Sequence, residues 1–269
     1  MSDVMREMQM TFNKGLEAFD KDDYETALKF WVPIAEEGYP EVQYNVGLMY
    51  CNGEGVPQDY NIAYEWFILA AEQEVAEAHY NLGLMYDNGL GVSQNYQVAI
   101  EWYTIAAEQG NSDAKNNLGR IYYEGHGVPQ DYETAHKWIN LAAEQGNFNA
   151  PYNLGIIHYK GHGVPQGYKA AREWFTLAAE QGEAKAQHNL GAIHKNGKGV
   201  PKDYKTAREW FKLAATQGHS AAQCELGVNY AIRKGILRGY IYNHLIKIWW
   251  RLVSLSLKVL GTILKKLAS

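Results

Sequence analysis

Residues 111–146 read NSDAKNNLGRIYYEGHGVPQDYETAHKWINLAAEQG, and they spell out one complete structural unit. Asn111 and Ser112 are both good helix N-caps. After them Ala114, Leu118, Gly119, Ile121 and Tyr122 recur at helical spacing, which predicts a first helix. It ends at Gly125-His126-Gly127, where two glycines let the chain take positive φ. Pro129 keeps Val128 extended, and Asp131 is a natural N-cap for a second helix. There Ala135, Trp138, Ile139, Ala142 and Ala143 fall on one face. Gly146 suits the left-handed residue that closes a helix. Nothing in the unit signals a strand.

The unit repeats. Gly47, Gly83, Gly119, Gly155, Gly191 and Gly227 are spaced 36 residues apart, as are Tyr60, Tyr96, Tyr132, Tyr168, Tyr204 and Tyr240. Trp66, Trp102, Trp138, Trp174 and Trp210 keep the same step. A fixed period of this length marks stacked supersecondary units, each too small to bury its apolar face alone. The pattern predicts that Trp138 and the paired alanines of the second helix pack on the Leu-Gly-x-x-Tyr face of the first. It also predicts that Asn45, Asn81, Asn117, Asn153 and Asn189 bond a neighbouring turn, since buried amides need partners.

Unit by unit the chain reads A-x-x-x-N-L-G-x-x-Y-x-x-G-x-G-V-P-Q-D-Y-x-x-A-x-x-W-x-x-x-A-A-E-Q-G. This resembles the Sel-1-like repeat family, relatives of the tetratricopeptide repeats, over residues 39 to 235. The resemblance implies an all-α fold: a right-handed α/α solenoid of 36-residue helix-turn-helix repeats, first helices on the concave wall and second helices on the convex one. It also implies protein-interaction and scaffold roles, often in bacterial systems. Three parts are expected: an atypical N-terminal hairpin (1–38), the repeat array (39–235) and a C-terminal basic amphipathic helix (236–269). The N-terminal part keeps Tyr24, Ala27 and Phe30 in register but lacks the Gly-x-Gly loop. Glu74 stands where other units have Gly38, Gly110, Gly146, Gly182 and Gly218, so that helix is expected to lose its best cap. Gly167 replaces the Asp N-cap.

Eight of the 25 Lys and Arg residues lie in 232–269, with none of the 30 acids. The remainder is therefore acidic, with 17 bases against 30 acids, which argues against nucleic acid as a partner along its length. The start, Met1-Ser-Asp-Val-Met-Arg-Glu, has neither an apolar core nor a small-residue cleavage site, so no signal peptide is expected. Cys51 and Cys224 lie in distant units and read as small packing residues of a reducing, cytoplasmic compartment. The exported, cysteine-rich subgroup of the family pairs cysteines in every repeat, and this chain does not follow it.

Motifs that carry chemistry elsewhere have structural readings here. Ser112-Asp113-Ala114-Lys115 fits S-x-x-K, the nucleophile motif of penicillin-recognising enzymes. The companion motifs are missing, and Ser112 occupies a capping position. His158 and His162 have a metal-like spacing, but the helix is expected to end between them; His126 and His162 sit in loops of successive units. The Gly-x-Gly loops lack the preceding strand of a nucleotide fingerprint. Glu108, Glu144 and Glu180 belong to the repeated A-A-E-Q-G ending and read as a solvated stripe. No catalytic residue, metal site or cofactor is expected.

Positions that vary between units are the informative ones. On one face of the first helices lie Tyr44, Leu48, Tyr80, Leu84, Asn116, Arg120, Tyr123, Tyr152, Ile156, Tyr159, His188 and Lys195. Offsets of 0, +4 and +7 share a helix face, and by resemblance this face lines the concave groove. Tyrosines, aliphatics and an arginine suit an interface. The expected function is a non-enzymatic scaffold or adaptor that binds a protein or peptide partner there. Two alternatives stand beside it. The segment carrying Lys247, Trp249, Trp250, Arg251 and Lys258 has a narrow basic stripe between broad apolar runs. It suits either a cap on the last repeat or a membrane-peripheral helix. A penicillin-interacting enzyme is the other alternative.

Overall fold

The structure, a computed structural model, describes residues 3–233. Thirteen helices and no strand occur among them. They are α1 (Asp3–Phe19), α2 (Tyr24–Glu36), α3 (Pro40–Asn52), α4 (Tyr60–Ala71), α5 (Ala76–Asn88), α6 (Tyr96–Glu108) and α7 (Ser112–Glu124). There follow α8 (Tyr132–Glu144), α9 (Ala150–Lys160), α10 (Tyr168–Glu180), α11 (Ala184–Asn196), α12 (Tyr204–Thr216) and α13 (Ser220–Arg233). The chain divides into two compact units, Met1–Trp174 and Phe175–Ser269.

Local chemistry sets each helix boundary. Asp59, Asn95, Asp131 and Asp203 each accept two backbone N–H groups at the start of α4, α6, α8 and α12, which satisfies donors the helix itself cannot. The cap of α7 is Asn111, whose side chain accepts from Ala114 N at 2.9 Å. Ser112 is the first helical residue, not the cap. At the other end Gly125 is left-handed, with φ 74°. Glu74 departs from expectation. It takes φ 64°, and its N–H bonds Ala71 O at 2.9 Å, so the turn that glycine makes elsewhere is kept. The cost falls on a side chain that is disfavoured in this region.

In the first unit the apolar layers join one hairpin to the next. Ala99, Tyr103, Ala106 and Ala107 of α6 pack with Ala114, Leu118 and Ile121 of α7. Ile139 and Ala142 of α8 pack with Ala150, Leu154 and Ile157 of α9. The residue that fills each layer is the one after the tryptophan. Phe67, Tyr103 and Ile139 are fully buried and lie on Gly47, Gly83 and Gly119, where a Cβ would collide with them. Trp138 itself is half-buried and covers the α6–α7 layer from outside. Trp138 thus packs on the Leu118 layer of α7 as expected, but the residue seated on Gly119 is its neighbour Ile139, and Ala142 turns to the α9 layer. A helical apolar face spans about 100° or more, and its centre here runs through Ala135, Ile139 and Ala142, leaving Trp138 at its margin.

The same pair occurs in α1 and α2, where a Cβ on Gly15 would strike Trp31. The interval from Gly15 to Trp31 is four residues shorter than that from Gly47 to Phe67, which matches the missing Gly-x-Gly loop. In the second unit Phe211 lies on Gly191, and Ala207, Phe211, Ala214 and Ala222 form the buried layer.

Candidate functional site: the variable face of the first helices

Few of the variable positions are free of packing. Tyr44 is half-buried, with its ring 5.8 Å from Phe67, and Tyr80 lies 5.9 Å from Tyr103. Burial is the main reason that the Tyr80 phenol is pushed up to about 12. Leu48 and Leu84 pack on the layers beneath them. Three of the repeated asparagines, Asn81, Asn117 and Asn153, bond side chains of the preceding unit and not its turns. Asn81 Nδ2 donates to Tyr44 OH (3.3 Å), Asn153 Nδ2 to Asn116 Oδ1 (2.8 Å), and Asn117 Nδ2 to Tyr103 OH (3.2 Å). Variable positions such as Tyr44 and buried Asn116 therefore serve as acceptors that tie neighbouring helices together.

Arg120 has a fixed role that the sequence did not reveal. Its guanidinium bonds the buried carboxylate of Asp87 on α5 and, at 3.0 Å, Glu124 on its own helix. Tyr103 OH also donates to Asp87, at 3.1 Å. Burial alone would lower the Arg120 pKa; the charges of Asp87 and Glu124 outweigh it and raise it. The signal for Asp87 was present: an acid one turn before Gly91, on the face shared with Tyr123 and Tyr159. Charge complementarity across 33 residues is not visible in a pattern.

Between α7, α8 and α9 lies a cavity of about 280 Å³. It brings together four of the expected residues, Arg120, Tyr123, Tyr152 and Ile156. Glu124, Asn153 and Lys160 stand with them, over Ile139 and Ile157. The Tyr123 ring lies 5.6 Å from His162, whose Nδ1 is 3.0 Å from Tyr123 OH. The Lys160 ammonium lies 5.7 Å from the centre of the Tyr123 ring. Tyr159 sits apart, edge-on to Tyr168. In the second unit His188 stacks on His219, and Lys195 pairs with Glu225 at 2.7 Å. Lys247, Trp249, Trp250, Arg251 and Lys258 lie outside the described residues.

The remaining motifs have structural partners. Ser112 Oγ accepts from Asn147, while Lys115 Nζ turns to Gln145 Oε1 at 2.8 Å. His126 stacks on Tyr96 and His162 on Tyr132, each at the loop of the following unit. His158 meets His136 edge-on. Among the described residues no three His, Cys, Asp or Glu side chains gather as metal ligands do. Among them, too, no helix is long and apolar enough to cross a membrane. Glu108, Glu144 and Glu180 are exposed.

Successive helical hairpins whose buried residues join one hairpin to the next within each unit define an α-helical repeat protein. The Sel1 repeat model matches residues 40–75, 76–111, 112–147, 150–183 and 184–219, and the chain belongs to the Sel1 repeat family. It is similar to c5321, a protective antigen of uropathogenic Escherichia coli strains with an SLR fold (36% identity, TM-score 0.76). That match covers 85% of this chain but only 50% of c5321, so the chain spans half the length of this relative. A Sel1 repeat protein from Oxalobacter formigenes is 34% identical with TM-score 0.76, over 82% of this chain and 90% of that one. The immunity protein PA5088 of Pseudomonas aeruginosa shares the fold, with 22% identity and TM-score 0.52 over 76% of this chain and 81% of its own. No curated protein matches the chain. Sel1 repeat proteins generally mediate protein–protein interaction.

Proposed function

We propose that this chain is a non-enzymatic scaffold or adaptor that binds a peptide or protein through the variable face of its first helices, with the α7–α9 cavity as the contact centre. One observation carries the reading. Arg120, Tyr123, Tyr152 and Ile156 come from two helices and from positions that differ between units, yet they line one cavity. Tyr and Arg in such a setting are the residues that dominate binding energy. The α1–α2 hairpin then serves as the N-terminal cap.

The test uses a partner recovered by cross-linking to the intact protein. Tyr123→Ala, Tyr152→Ala and Ile156→Ala should each weaken binding by about 1–2 kcal/mol. Leu141→Ala, on the exposed side of α8, should leave affinity unchanged. Equal affinities for all four variants would remove the proposal.

A second reading rests on the charge pattern of residues 232–269, eight bases without an acid. Basic stripes with Trp and Leu bind anionic lipid surfaces. The full chain would then float with anionic vesicles and not with neutral ones; failure to float would leave the adaptor reading alone.

A further inference from the structure

We infer that the α7–α9 cavity takes a large aromatic side chain of a peptide, adjacent to a carboxylate that Lys160 receives. This rests on the proposal that the face binds peptides, and it names the chemistry of the partner.

Size and lining come first. Ile139 and Ile157 beneath the cavity are each 1% exposed, so the floor is apolar and held in place by packing. Tyr123 and Tyr152 add aromatic walls. An apolar cavity of about 150 Å³ already holds benzene. A volume of about 280 Å³ therefore has room for a phenol or an indole. Aromatic rings favour offset or edge-on contact with one another, which these walls provide.

Charge supplies the second element. Arg120 looks like the anion receptor, but it is already neutralised by Asp87 and Glu124. Glu124 is held between Arg120 and His126 Nδ1, which lies 3.2 Å away, so two carboxylates already share the one guanidinium at this end of the cavity and it receives no guest anion. Lys160 differs. It is exposed at the mouth of the cavity, and among the described residues no carboxylate lies within ion-pair distance of it. Its ammonium rests near the Tyr123 ring, beside the space an aromatic guest would fill. A guest carboxylate one residue from the anchor would meet an uncommitted positive charge. A basic neighbour would meet repulsion. The carboxylate has two sources: an Asp or Glu side chain, or the free end of a peptide.

The experiment is selection from a random displayed-peptide library on the full-length protein, followed by affinity measurement with synthetic peptides in amidated and free-acid forms. Selected sequences should place Trp, Tyr or Phe beside Asp or Glu. Amidated peptides that retain affinity assign the carboxylate to the side chain; binding confined to free-acid peptides assigns it to the chain end. Tyr152→Ala should weaken binding by about 10-fold or more, a loss typical of an anchor pocket. Lys160→Glu, at an exposed position, should preserve the circular dichroism spectrum and weaken binding on the order of 10-fold. It should also redirect selection toward Lys and Arg. Peptides that depend on Tyr152 but show no acidic preference and ignore Lys160→Glu would overturn this inference while leaving the peptide-binding face intact. If no selected peptide responds to Tyr152→Ala, the inference falls; if none responds to Tyr123→Ala or Ile156→Ala either, the proposed function falls with it.

Discussion

Gly83 lies beneath the ring of Tyr103, so close that a Cβ on Gly83 would stand 2.5 Å from Tyr103 Cδ1. Gly47 and Phe67 repeat the relationship, with 2.8 Å to the ring, and in the second unit Gly191 and Phe211 do so with 2.6 Å. The periodic glycines Gly47, Gly83, Gly119 and Gly191 are there for helix–helix approach, not for turning. Gly83→Ala should therefore destabilise the protein although alanine is the better helix former. Overpacking costs about 1–3 kcal/mol, against a helix-propensity gain of about 1 kcal/mol. Chemical denaturation reads the net sign, and a more stable variant would show that Tyr103 can move aside.

Arg120→Ala should lower stability as well as any binding. It strands the Asp87 carboxylate, which is 5% exposed. Removing one partner of a buried pair costs about 3–5 kcal/mol; the partial exposure of Arg120 places this case at or below the lower end. Asp87→Asn combined with Arg120→Ala should recover part of the loss. A double-mutant cycle in thermal melts checks this, and strict additivity would mean that the pair is not coupled.

Glu74→Gly should stabilise the α4–α5 turn. A non-glycine residue in the left-handed region costs about 1–2 kcal/mol, and Glu74 holds φ 64° there. Its carbonyl, which accepts from Gln109 Nε2 at 3.1 Å, survives the change, while its carboxylate bond to the same group is lost. The expected gain is thus about 1 kcal/mol or less, visible as a raised melting temperature. A drop would show that the carboxylate contact outweighs the strain.

Stability should decline as pH falls below about 6.5, before the carboxylates titrate. His136, His158 and His188 are all held below the usual imidazole value, chiefly by burial. For His158 and His188 the neighbouring His136 and His219 add to the effect. A depressed histidine is neutral in the fold, so the unfolded chain binds more protons in this range and acid favours it. Asp131 and Asp203 are lowered by their Thr134 and Thr206 bonds, and their contribution is lost only near and below pH 4. Melts from pH 8 to 5 should show the decline, and His136→Gln should flatten it. A flat profile for the native protein would reject the assignment.

Hairpin length, helix ends and class of fold were all legible in residues 111–146, because caps, left-handed glycines and the helical period act within a few residues of one another. Repetition then made the reading redundant, and the 36-residue step extended it along the chain. Spacing also grouped Arg120, Tyr123, Tyr152 and Ile156, which line one cavity, but it did not show that Tyr44, Leu48, Tyr80 and Leu84 of the same set pack on the layers beneath them. What spacing could not supply is depth. Trp138 and Ile139 are neighbours on one helix, and only packing against α7 decides that Ile139 goes under Gly119 while Trp138 covers the margin. Nor could it supply partners from other units. Asp87 meets Arg120, and Asn153 meets Asn116, only once successive hairpins stack. Local rules determine each unit; the energy of close packing and of buried charge depends on distances between residues far apart in the chain, and those exist only in the tertiary structure.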